Sequence, residues 1–427
     1  MTAATSGTPL EDRLAGLLDL ERSRAFHAGR LALDLSRMEA LLAALPPLPR
    51  PGVAVHVAGS EGKTSTTEFV TAGLLAHGLH AASYTSPHLL DVRERLRIGL
   101  RFPPEPLLPR AADVVDAAAA QAGVRPSYFE YLTALARVLF AQACVDAVVW
   151  ETGLGGRLDA TRLLPADLCV VTSISLEHTA VLGGTLPAVA AEKAGILRPG
   201  APLLLGVGVP DVARDVLRSH AAALGCRVVQ QPPRPPGECD PLAANRDLAR
   251  LALDALAAER LLPPRTPAID AALDAHAVAG RWQRVGEVLF DGAHTVAASA
   301  ALARRLAAER AAGRLSLGAI IFGATLGRDP GAMLGSLLAV RPPDVALLLA
   351  TAPGERGVPA AELLGACSGV QAACAVENPS AALARARALA GGRTVLVTGS
   401  LYLVGQLLAE ALGEHAMAAV GGAGRRA

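Results

Sequence analysis

Apolar residues in the first two thirds of the chain follow two alternating patterns. Short continuous apolar runs occur at VAVHVAG (53–59), DAVVWET (146–152), LCVVTSI (168–174) and APLLLGV (201–207). Between them, and over residues 11–45, apolar side chains recur at intervals of three and four, which is the period of amphipathic helices. Strands buried on both faces have continuous apolar sequences, so the pattern predicts a parallel sheet flanked by helices.

The same alternation starts again after GRWQRVG (280–286). Its apolar runs are VLFDGAH (288–294), AIIFGAT (319–325), VALLLATA (345–352) and TVLVTGS (394–400), with Ala- and Leu-rich helical stretches between them. This restart predicts a second α/β domain, and we expect the domains to span residues 1–283 and 284–427. Two further segments stand apart: the proline-rich QQPPRPPGECDP (230–241) is predicted to be a connection, and the tail GGAGRRA (421–427) to be disordered.

Composition supports two domains and excludes several classes of protein. A chain of 427 residues exceeds what one hydrophobic core usually organises. No apolar stretch is long enough to span a membrane, and the N-terminus, with Glu11 and Asp12, lacks the features of a secretory signal. The net charge of +1 gives no reason to expect nucleic acid or an anionic membrane as partner. The six cysteines are scattered without a CxxC pair, which favours free thiols in the cytoplasm over disulfides or a metal cluster.

The first predicted strand leads into a glycine-rich loop, HVAGSEGKTST (56–66), and a helical pattern follows from Lys63 to His77. Such a loop presents main-chain N–H groups and the positive end of a helix to an anion. Lys63 would add a positive charge at the β- and γ-phosphates of a nucleotide, and the hydroxyl of Thr64 or Ser65 would bind Mg²⁺. The spacing GxxGKT is shorter than the usual GxxxxGK[ST], so a chance turn is the alternative. The position between strand and helix favours a nucleotide-binding loop made of Gly59, Ser60, Glu61, Gly62, Lys63, Thr64 and Ser65.

Two more predicted strands end in residues that suit the same site. Glu151 opens ETGLGGRLDATR (151–162) at the end of one strand, and His178 lies in SLEHT (175–179) after another. Ligands bind at the carboxyl edge of parallel sheets, and Mg²⁺ prefers oxygen ligands such as a carboxylate. A solvated acid in a glycine-rich turn and a structural histidine are the alternatives. Three strand ends that converge on one edge favour the functional interpretation.

Together these motifs resemble the Mur ligase superfamily, and within it the dihydrofolate synthase/folylpolyglutamate synthase branch. The resemblance rests on HVAGSEGKTST, YTSPHLLDVRERLRI (84–98), YFEYLTALA (128–136), ETGLGGRLDAT, TSISLEHTAVLGGTLPAVAAEKAGILRPG (172–200), DGAH (291–294) and TGSLYLVG (398–405). These segments cover nearly the whole chain in the family's order. The resemblance implies an α/β fold with an N-terminal P-loop parallel-sheet ATPase domain and a smaller C-terminal Rossmann-like glutamate-ligase domain.

The reaction that the resemblance implies is ATP-dependent amide formation. A carboxylate of dihydropteroate or of a folate takes the γ-phosphate, and the amine of L-glutamate displaces phosphate from the acyl phosphate. The first step joins two anions, so cations and main-chain donors must neutralise charge in the transition state. ATP, two Mg²⁺ ions and a carbamate on Lys193 are the implied cofactors. Members of the family are usually monomers.

The family's functional residues map onto this chain as follows. The resemblance implies catalytic roles for Lys63, Lys193, Asp291 and His294, and nucleotide contacts for Asn245, Arg281 and Asp291 in addition to the loop. The implied metal ligands are Ser65, Glu151, His178 and the modified Lys193. The implied substrate-binding residues are Ser86, Pro87, His88, Arg95, Asp159 and Thr161. Ordinary surface or helix-terminal roles are the alternatives for Lys193, Asn245 and Arg281, and a solvated charge is the favoured interpretation of Arg97.

Several residues depart from the family pattern. Glu61, Arg162 and Thr295 stand where asparagine is usual, and Glu177 replaces an aspartate. A His-Gln pair that usually precedes the equivalent of Asn245 is missing. We expect the Glu61 side chain to point away from the phosphates while its main-chain N–H binds them. The departures leave two alternatives open: a ligase that joins another amino acid to a non-folate carboxylate, and a nucleotide-binding protein without ligase activity.

Overall fold

The chain folds into two compact α/β units in a computed structural model that describes residues 9–19, 23, 33–235, 240–367 and 372–413. The first unit comprises Met1–His88, Val92–Arg234 and Ala243–His276, and the second Leu89–Asp91, Pro235–Leu242 and Ala277–Ala427. The main junction therefore lies at 276/277, a few residues before the predicted 283/284. The tail at 421–427, and parts of 11–45 and 230–241, lie outside the described residues.

The first unit is built on a seven-stranded sheet in the order β3-β2-β4-β1-β5-β6-β7. Its strands are β1 Val53–Ala58, β2 Ala81–Tyr84, β3 Leu96–Ile98, β4 Ala147–Glu151, β5 Leu168–Ser173, β6 Leu203–Gly208 and β7 Val228–Gln230. All neighbours pair in parallel except β2 and β3. The four predicted strands and the parallel sheet are confirmed. The strands β2, β3 and β7, which the apolar pattern did not indicate, are short.

Helices cover both faces of this sheet. They are α1 Leu10–Leu14, α2 Ser36–Ala44, α3 Lys63–Ala76, α4 Leu107–Ala122, α5 Tyr128–Gln142, α6 Thr179–Leu182, α7 Leu186–Ala194, α8 Asp211–Ala223, α9 Pro241–Ala258 and α10 Pro267–Ala275. Short 3₁₀ helices occupy Val92–Arg95 and Ala160–Leu163. One apolar core packs α4 and α5 against Tyr84 and Trp150, and another packs α7 and α8 against β5 and β6. The carboxyl ends of the central strands are left for the loops that carry the predicted site.

The second unit contains a six-stranded sheet in the order β12-β11-β10-β13-β9-β8. Its strands are β8 Gln283–Val285, β9 Val288–Phe290, β10 Leu317–Phe322, β11 Ala346–Leu349, β12 Ala373–Ala375 and β13 Thr394–Thr398. Its helices are α11 Val296–Ala311, α12 Pro330–Leu338, α13 Ala360–Gly365, α14 Pro379–Ala390 and α15 Leu401–Leu412. Only β8 pairs antiparallel among the described strands. Apolar cores on both sheet faces confirm the predicted second α/β domain.

Candidate active site

The predicted phosphate loop joins β1 to α3 in a backbone conformation that requires glycine. Gly59 and Gly62 have φ angles of 154° and 82°, values that residues with a Cβ atom rarely adopt. A Cβ on Gly62 would lie 2.5 Å from Oδ1 and 3.0 Å from Nδ2 of Asn245, so the asparagine side chain packs directly over the loop. Lys63 begins α3, and the N-terminus of that helix faces the loop. The local geometry is that of an anion-binding helix end.

Two lysine amines meet at one main-chain oxygen of this loop. Lys63 Nζ and Lys193 Nζ each donate to Gly59 O at 2.9 Å. These are the only lysines in a chain with 40 Lys and Arg residues. Lys193 lies on α7 and is 1% exposed. Helices that are distant in sequence thus bring both ammonium groups to the phosphate loop.

Lys193 forms a buried ion pair with Glu177. Its Nζ lies 2.8 Å from Glu177 Oε1. Burial alone would raise the pKa of Glu177, but the charges of Lys193 and Lys63 outweigh it and bring that pKa to about 2. Burial also lowers the pKa of Lys193, and Glu177 opposes this change. Each member of the pair thus favours the charged form of the other.

Glu151 lies at the end of β4 and is 1% exposed. Its Oε1 accepts a hydrogen bond from the Thr64 hydroxyl at 2.8 Å, and its Oε2 accepts the Ser86 N–H at 3.4 Å. The hydroxyl that reaches Glu151 is therefore that of Thr64, whereas Ser65 is buried in the same turn of α3. Within the described ranges, no group of three His, Cys, Asp or Glu side chains could hold a metal ion by itself. This donor set still fits Mg²⁺, which binds one or two carboxylates together with phosphate oxygens and water.

The main chain of Glu61 and the hydroxyl of Ser60 bond to residues at and just after the end of β5. Glu61 N–H donates to Ser173 Oγ at 2.8 Å, and Glu61 O accepts from Thr172 Oγ1 at 2.5 Å. Ser60 Oγ accepts the Ser175 N–H at 3.0 Å. The Glu61 N–H that we expected to bind phosphate is thus already used inside the protein, and the predicted role would require that bond to be given up.

His178 precedes the short helix α6 in a left-handed backbone conformation, with φ of 44°. Its charge contributes to the low pKa of the neighbouring Glu177, after the effects of burial, Lys193 and Lys63. His178 therefore lies electrostatically close to the ion pair at the phosphate loop. Its predicted role as a metal ligand stays a prediction.

The segment after β2 brings two predicted substrate residues into contact. Arg95 Nε donates to His88 Nδ1 at 2.9 Å, and the Arg95 guanidinium lies 5.3 Å from the centre of the Tyr128 ring. The peptide bond between Ser86 and Pro87 is cis. Because Arg95 is 2% exposed, it acts within the protein as a support for His88. Direct contact of Arg95 with a substrate stays a prediction.

Arg97 is not the solvated charge that the sequence suggested. Its Nη1 lies 2.8 Å from Glu68 Oε1, and both side chains are buried. Glu68 Oε2 also lies 3.1 Å from His276 Nε2. The expectation was wrong because β3 pairs with β2 and turns Arg97 towards α3.

Asp159 and Thr161, predicted to bind substrate, form an internal network with His56. Asp159 accepts the Thr161 hydroxyl at 2.5 Å and the Leu154 N–H at 2.9 Å. Thr161 Oγ1 in turn lies 2.8 Å from His56 Nε2, which must donate because the hydroxyl hydrogen is used on Asp159. Burial raises the pKa of Asp159 and lowers that of His56 to about 3. The network holds the glycine-rich segment, and His56 is a member of it that the sequence pattern did not indicate.

In the second unit, Asp291 organises the turn that carries Arg281 and His294. Its carboxylate accepts the N–H groups of Trp282 and Ala293, both at 3.0 Å. Burial raises the pKa of Asp291, and Arg281 opposes this change. Arg281 Nη1 donates to Gly292 O at 2.9 Å, and His294 Nδ1 donates to the same oxygen at 2.8 Å. The three predicted residues therefore lie together, with Asp291 bonded to main chain.

Two residues at the end of β13 were missed as site candidates. Thr398 and Ser400 are each 1% exposed, and within the described part of the chain their hydroxyls have no hydrogen-bond partner. Ser400 is the N-cap of α15 but makes no capping bond. The β13 strand lies beside β9, which leads into Asp291. Both residues lie in TGSLYLVG (398–405), a segment that carries the family resemblance and could have pointed to them.

Comparisons with known proteins show the family and the fold of this chain. Residues 280–401 match the family described as "Mur ligase, glutamate ligase domain". A solved structure, "E.coli FolC in complex with ADP, without folate substrate", is 30% identical, with a TM-score of 0.74 over 91% of this chain and 94% of that chain. The chain belongs to the dihydrofolate synthase/folylpolyglutamate synthase family. The fold class inferred from the sequence is confirmed with it.

Two further relatives define how far the similarity reaches. A dihydrofolate synthase/folylpolyglutamate synthase of Haemophilus influenzae is 37% identical over 212 residues, which are 50% of this chain and 46% of the relative. The chain thus spans about half the length of the curated relatives it matches in sequence. A bifunctional folylpolyglutamate synthase/dihydrofolate synthase with Mn, AMPPNP and L-glutamate bound is 29% identical, with a TM-score of 0.73 over 89% of this chain and 94% of that chain. No helix in the described ranges could cross a membrane.

Proposed function

We propose that this protein is an ATP-dependent ligase that adds L-glutamate to dihydropteroate, to folates, or to both, through an acyl phosphate. Membership of the family supports the reaction class. The observation that carries the proposal is the meeting of Lys63 and Lys193 at Gly59 O. The Lys63 ammonium can offset the charge that builds up when a carboxylate attacks a polyphosphate, and the Lys193 amine lies at the same loop, where a carbamate on it would help to bind a metal ion.

In the proposed reaction, residues of the first unit bind the ATP phosphates and the metal ion. The loop from Gly59 to Ser65 binds the ATP phosphates, and Lys63 follows the γ-phosphate as it is transferred. Glu151, with the hydroxyl of Thr64 or Ser65 and with His178, would hold Mg²⁺. When bound, Mg²⁺ neutralises the phosphate charge. The relative with Mn and AMPPNP supports a metal-dependent nucleotide site, and two Mg²⁺ ions remain part of the proposal.

A carbamate on Lys193 also remains part of the proposal, and this sequence makes it unusually easy to test. Carbamate formation would require the Lys193 amine to leave its ion pair with Glu177. Only two lysines occur in the chain, so chemical trapping of carbamates followed by mass spectrometry would assign the modification to Lys63 or Lys193. Trapped carbamate on Lys193 alone is the expected result. An unmodified Lys193 in active enzyme would show that the ammonium form is used.

The second unit would receive the incoming amino acid. Thr398 ends β13 and Ser400 is the N-cap of α15, and within the described residues neither hydroxyl has a partner, so both are available at a helix N-terminus, where a carboxylate is stabilised. Asp291 holds the neighbouring turn, and His294 lies on it. The relative with bound L-glutamate supports glutamate as that amino acid.

Two of the residues that depart from the family pattern have contacts inside the protein. Thr295 caps α11 by accepting the Ala298 N–H at 3.1 Å, and Arg162 Nε donates to Gly195 O at 3.0 Å. Both side chains therefore have structural contacts in this protein. The alternative ligase and the non-catalytic nucleotide-binding protein receive no specific support. We further propose a cytoplasmic monomer.

The test is phosphate release from ATP and Mg²⁺ in the presence of L-glutamate. Dihydropteroate, tetrahydrofolate and no acceptor are compared, and mass spectrometry detects an acceptor heavier by one glutamyl unit. Release that depends on one pterin, with that product, would establish the function and show which activity dominates. If ATP binds but neither acceptor causes release, the enzyme acts on another carboxylate.

A further inference from the structure

Gln231 is a buried glutamine that the proposed function does not yet use. It directly follows β7 and is 4% exposed. Its main-chain N–H donates to Leu205 O at 2.8 Å, which continues the pairing of β7 with β6. A side-chain amide buried this deeply is costly unless both of its ends have partners.

Both ends of the Gln231 amide have such partners. Oε1 accepts the Val207 N–H at 3.0 Å, and Nε2 donates to Ala244 O at 2.7 Å. A main-chain N–H can only donate and a carbonyl can only accept, so these partners determine the orientation of the amide. One side chain thus connects the ends of β6 and β7 to the beginning of α9.

The residue that follows Ala244 is Asn245, whose side chain packs over Gly62 of the phosphate loop. Within the described ranges, the Asn245 side chain makes no hydrogen bond. Its carbonyl and its N–H groups can therefore bind a ligand beside the loop. The bond to Ala244 O acts on the peptide group that carries Asn245, so a change at Gln231 would reach Asn245 through the first turns of α9.

A second contact keeps the rest of α9 in place. A Cβ on Gly206 would meet Thr172 O and would lie 3.2 Å from Leu248 Cδ2, so the helix packs closely on the end of β6. Leu248 lies one turn beyond Ala244 and is 1% exposed. Because this apolar contact does not involve Gln231, loss of the glutamine amide should shift the beginning of α9 without detaching the helix.

We propose that Gln231 is a positioning residue for nucleotide recognition: it holds the beginning of α9 so that Asn245 contacts the nucleoside part of a nucleotide whose phosphates lie on the loop. The proposal rests on the proposed function for the presence of ATP at this site. It assigns the phosphates to the loop and the nucleoside to Asn245. The two parts of the ligand should therefore respond differently when Gln231 is changed.

The experiment measures binding of ATP and of inorganic tripolyphosphate to the full chain by calorimetry. Gln231→Met removes both hydrogen bonds at similar size and should weaken ATP binding about tenfold, the equivalent of one or two neutral hydrogen bonds. Tripolyphosphate, which lacks a nucleoside, should bind within about twofold of the original protein. Gln231→Glu keeps the acceptor for Val207 N–H but faces Ala244 O with a carboxylate oxygen, so it should weaken ATP at least as much.

Gln230→Met is the matched control. Gln230 is the same residue type and the last residue of β7, and among the described residues its Oε1 accepts only a surface hydrogen bond from Arg218 at 3.1 Å. ATP binding should not change in this variant. Thermal unfolding of each variant shows whether the fold is intact, and Gln231→Glu serves as the second variant if Gln231→Met folds poorly.

If Gln231 acts through Asn245, the effects of changing the two residues should not add. Asn245→Ala and the double variant with Gln231→Met should bind ATP equally weakly, because the second change has no further effect once the amide is gone. In turnover, Gln231→Met should raise the KM for ATP about tenfold and leave kcat within about twofold. Effects that add, equal losses for ATP and tripolyphosphate, or unchanged ATP binding would each overturn the proposal.

The outcome for Gln231 is separable from the outcome for the proposed function. If the original protein binds ATP but ligates no glutamate, the proposed function fails and the binding comparison still decides the role of Gln231. If the original protein ligates glutamate and Gln231→Met binds ATP as tightly as the original protein does, only the role of Gln231 is refuted. If the original protein binds no ATP, both are refuted.

Discussion

Of the 40 Lys and Arg residues in the sequence, only Lys63 and Lys193 are lysines, and both amines donate to Gly59 O. Everywhere else a guanidinium serves as the cation. An ammonium is a compact point charge on a flexible stem, whereas a guanidinium is planar and wider. The space at Gly59 O is shared by two cations and Glu177, so shape as well as charge limits what can replace these lysines.

This leads to a prediction about charge-preserving variants. Lys63→Arg and Lys193→Arg should each lower kcat by about a hundredfold or more, because the wider guanidinium cannot replace the Lys63 ammonium in the same place and cannot form the carbamate proposed for Lys193. The measurement is glutamate-dependent phosphate release. Arg314→Lys, at an exposed ion pair with Glu309, is the control and should keep normal turnover. Near-normal rates in both arginine variants would show that charge alone is needed.

The buried His56 makes the free energy of unfolding depend on pH. Its folded-state pKa is about 3 because the ring is buried, and its ordinary pKa is 6.5. The ring is neutral when folded, and its buried Nδ1 has no partner among the described residues. Between these two pKa values the unfolded chain binds the extra proton, so this contribution to stability is present above pH 6.5 and is lost as pH falls towards 3.

We therefore expect the free energy of unfolding to decrease by about 2 kcal/mol between about pH 7 and pH 5 through His56 alone. Urea denaturation at several pH values measures this decrease. His56→Gln, which can still donate to Thr161, should show a smaller decrease than the original protein over the same range. Identical slopes for the two proteins would place the acid sensitivity elsewhere.

Among the secondary-structure elements, the central strands were predicted correctly from apolar runs, whereas the surroundings of a charged side chain on an edge strand were not. β1, β4, β5 and β6 lie where continuous apolar sequences predicted them, because central strands are buried on both faces. Arg97, on the short edge strand β3, was misjudged as solvated. Its partner Glu68 lies on α3, and the third member, His276, ends the first unit. Such a cluster depends on how elements pack, and no local pattern encodes it.

Glu68→Gln should therefore destabilise the first unit by about 3 kcal/mol, since it leaves Arg97 buried without its counter-charge. Urea denaturation measures the change. Glu309→Gln breaks an exposed pair with Arg314 and should cost less than about 1 kcal/mol. Equal effects of the two substitutions would mean that the buried cluster adds no more than a surface pair.

At the scale of the whole molecule, each unit has its own sheet, its own cores and one of the two tryptophans in the chain. Trp150 lies in the core of the first unit, and Trp282 lies in the second, beneath the guanidinium of Arg305 at 4.1 Å. The predicted ATP loop belongs to the first unit. A ligand stabilises the part of a protein that it binds in the folded state, in proportion to the logarithm of its concentration.

Single-tryptophan variants can follow each unit separately in the full chain. In the Trp282→Phe variant, fluorescence reports on Trp150 alone. ATP and Mg²⁺ at about a hundred times Kd should then raise the free energy of unfolding of the first unit by about 2.7 kcal/mol. With Trp150→Phe, the transition reported by Trp282 should shift less. Thermal denaturation followed by fluorescence measures both transitions. Equal shifts would show that the two units unfold as one.

The fold class, the family and the contiguous part of the site could be predicted from the amino-acid sequence. Strand and helix periods and the phosphate loop from Gly59 to Ser65 are local properties, because solvent exposure and backbone conformation act on neighbouring residues. The three-dimensional fold was needed to see that Lys193 meets Lys63 and that Asp159 and Thr161 bond with His56. The same holds for the bond from Gln231 to Ala244. These partners are far apart in sequence, and each is chosen by packing, since a buried polar group must find whichever partner the fold brings within reach.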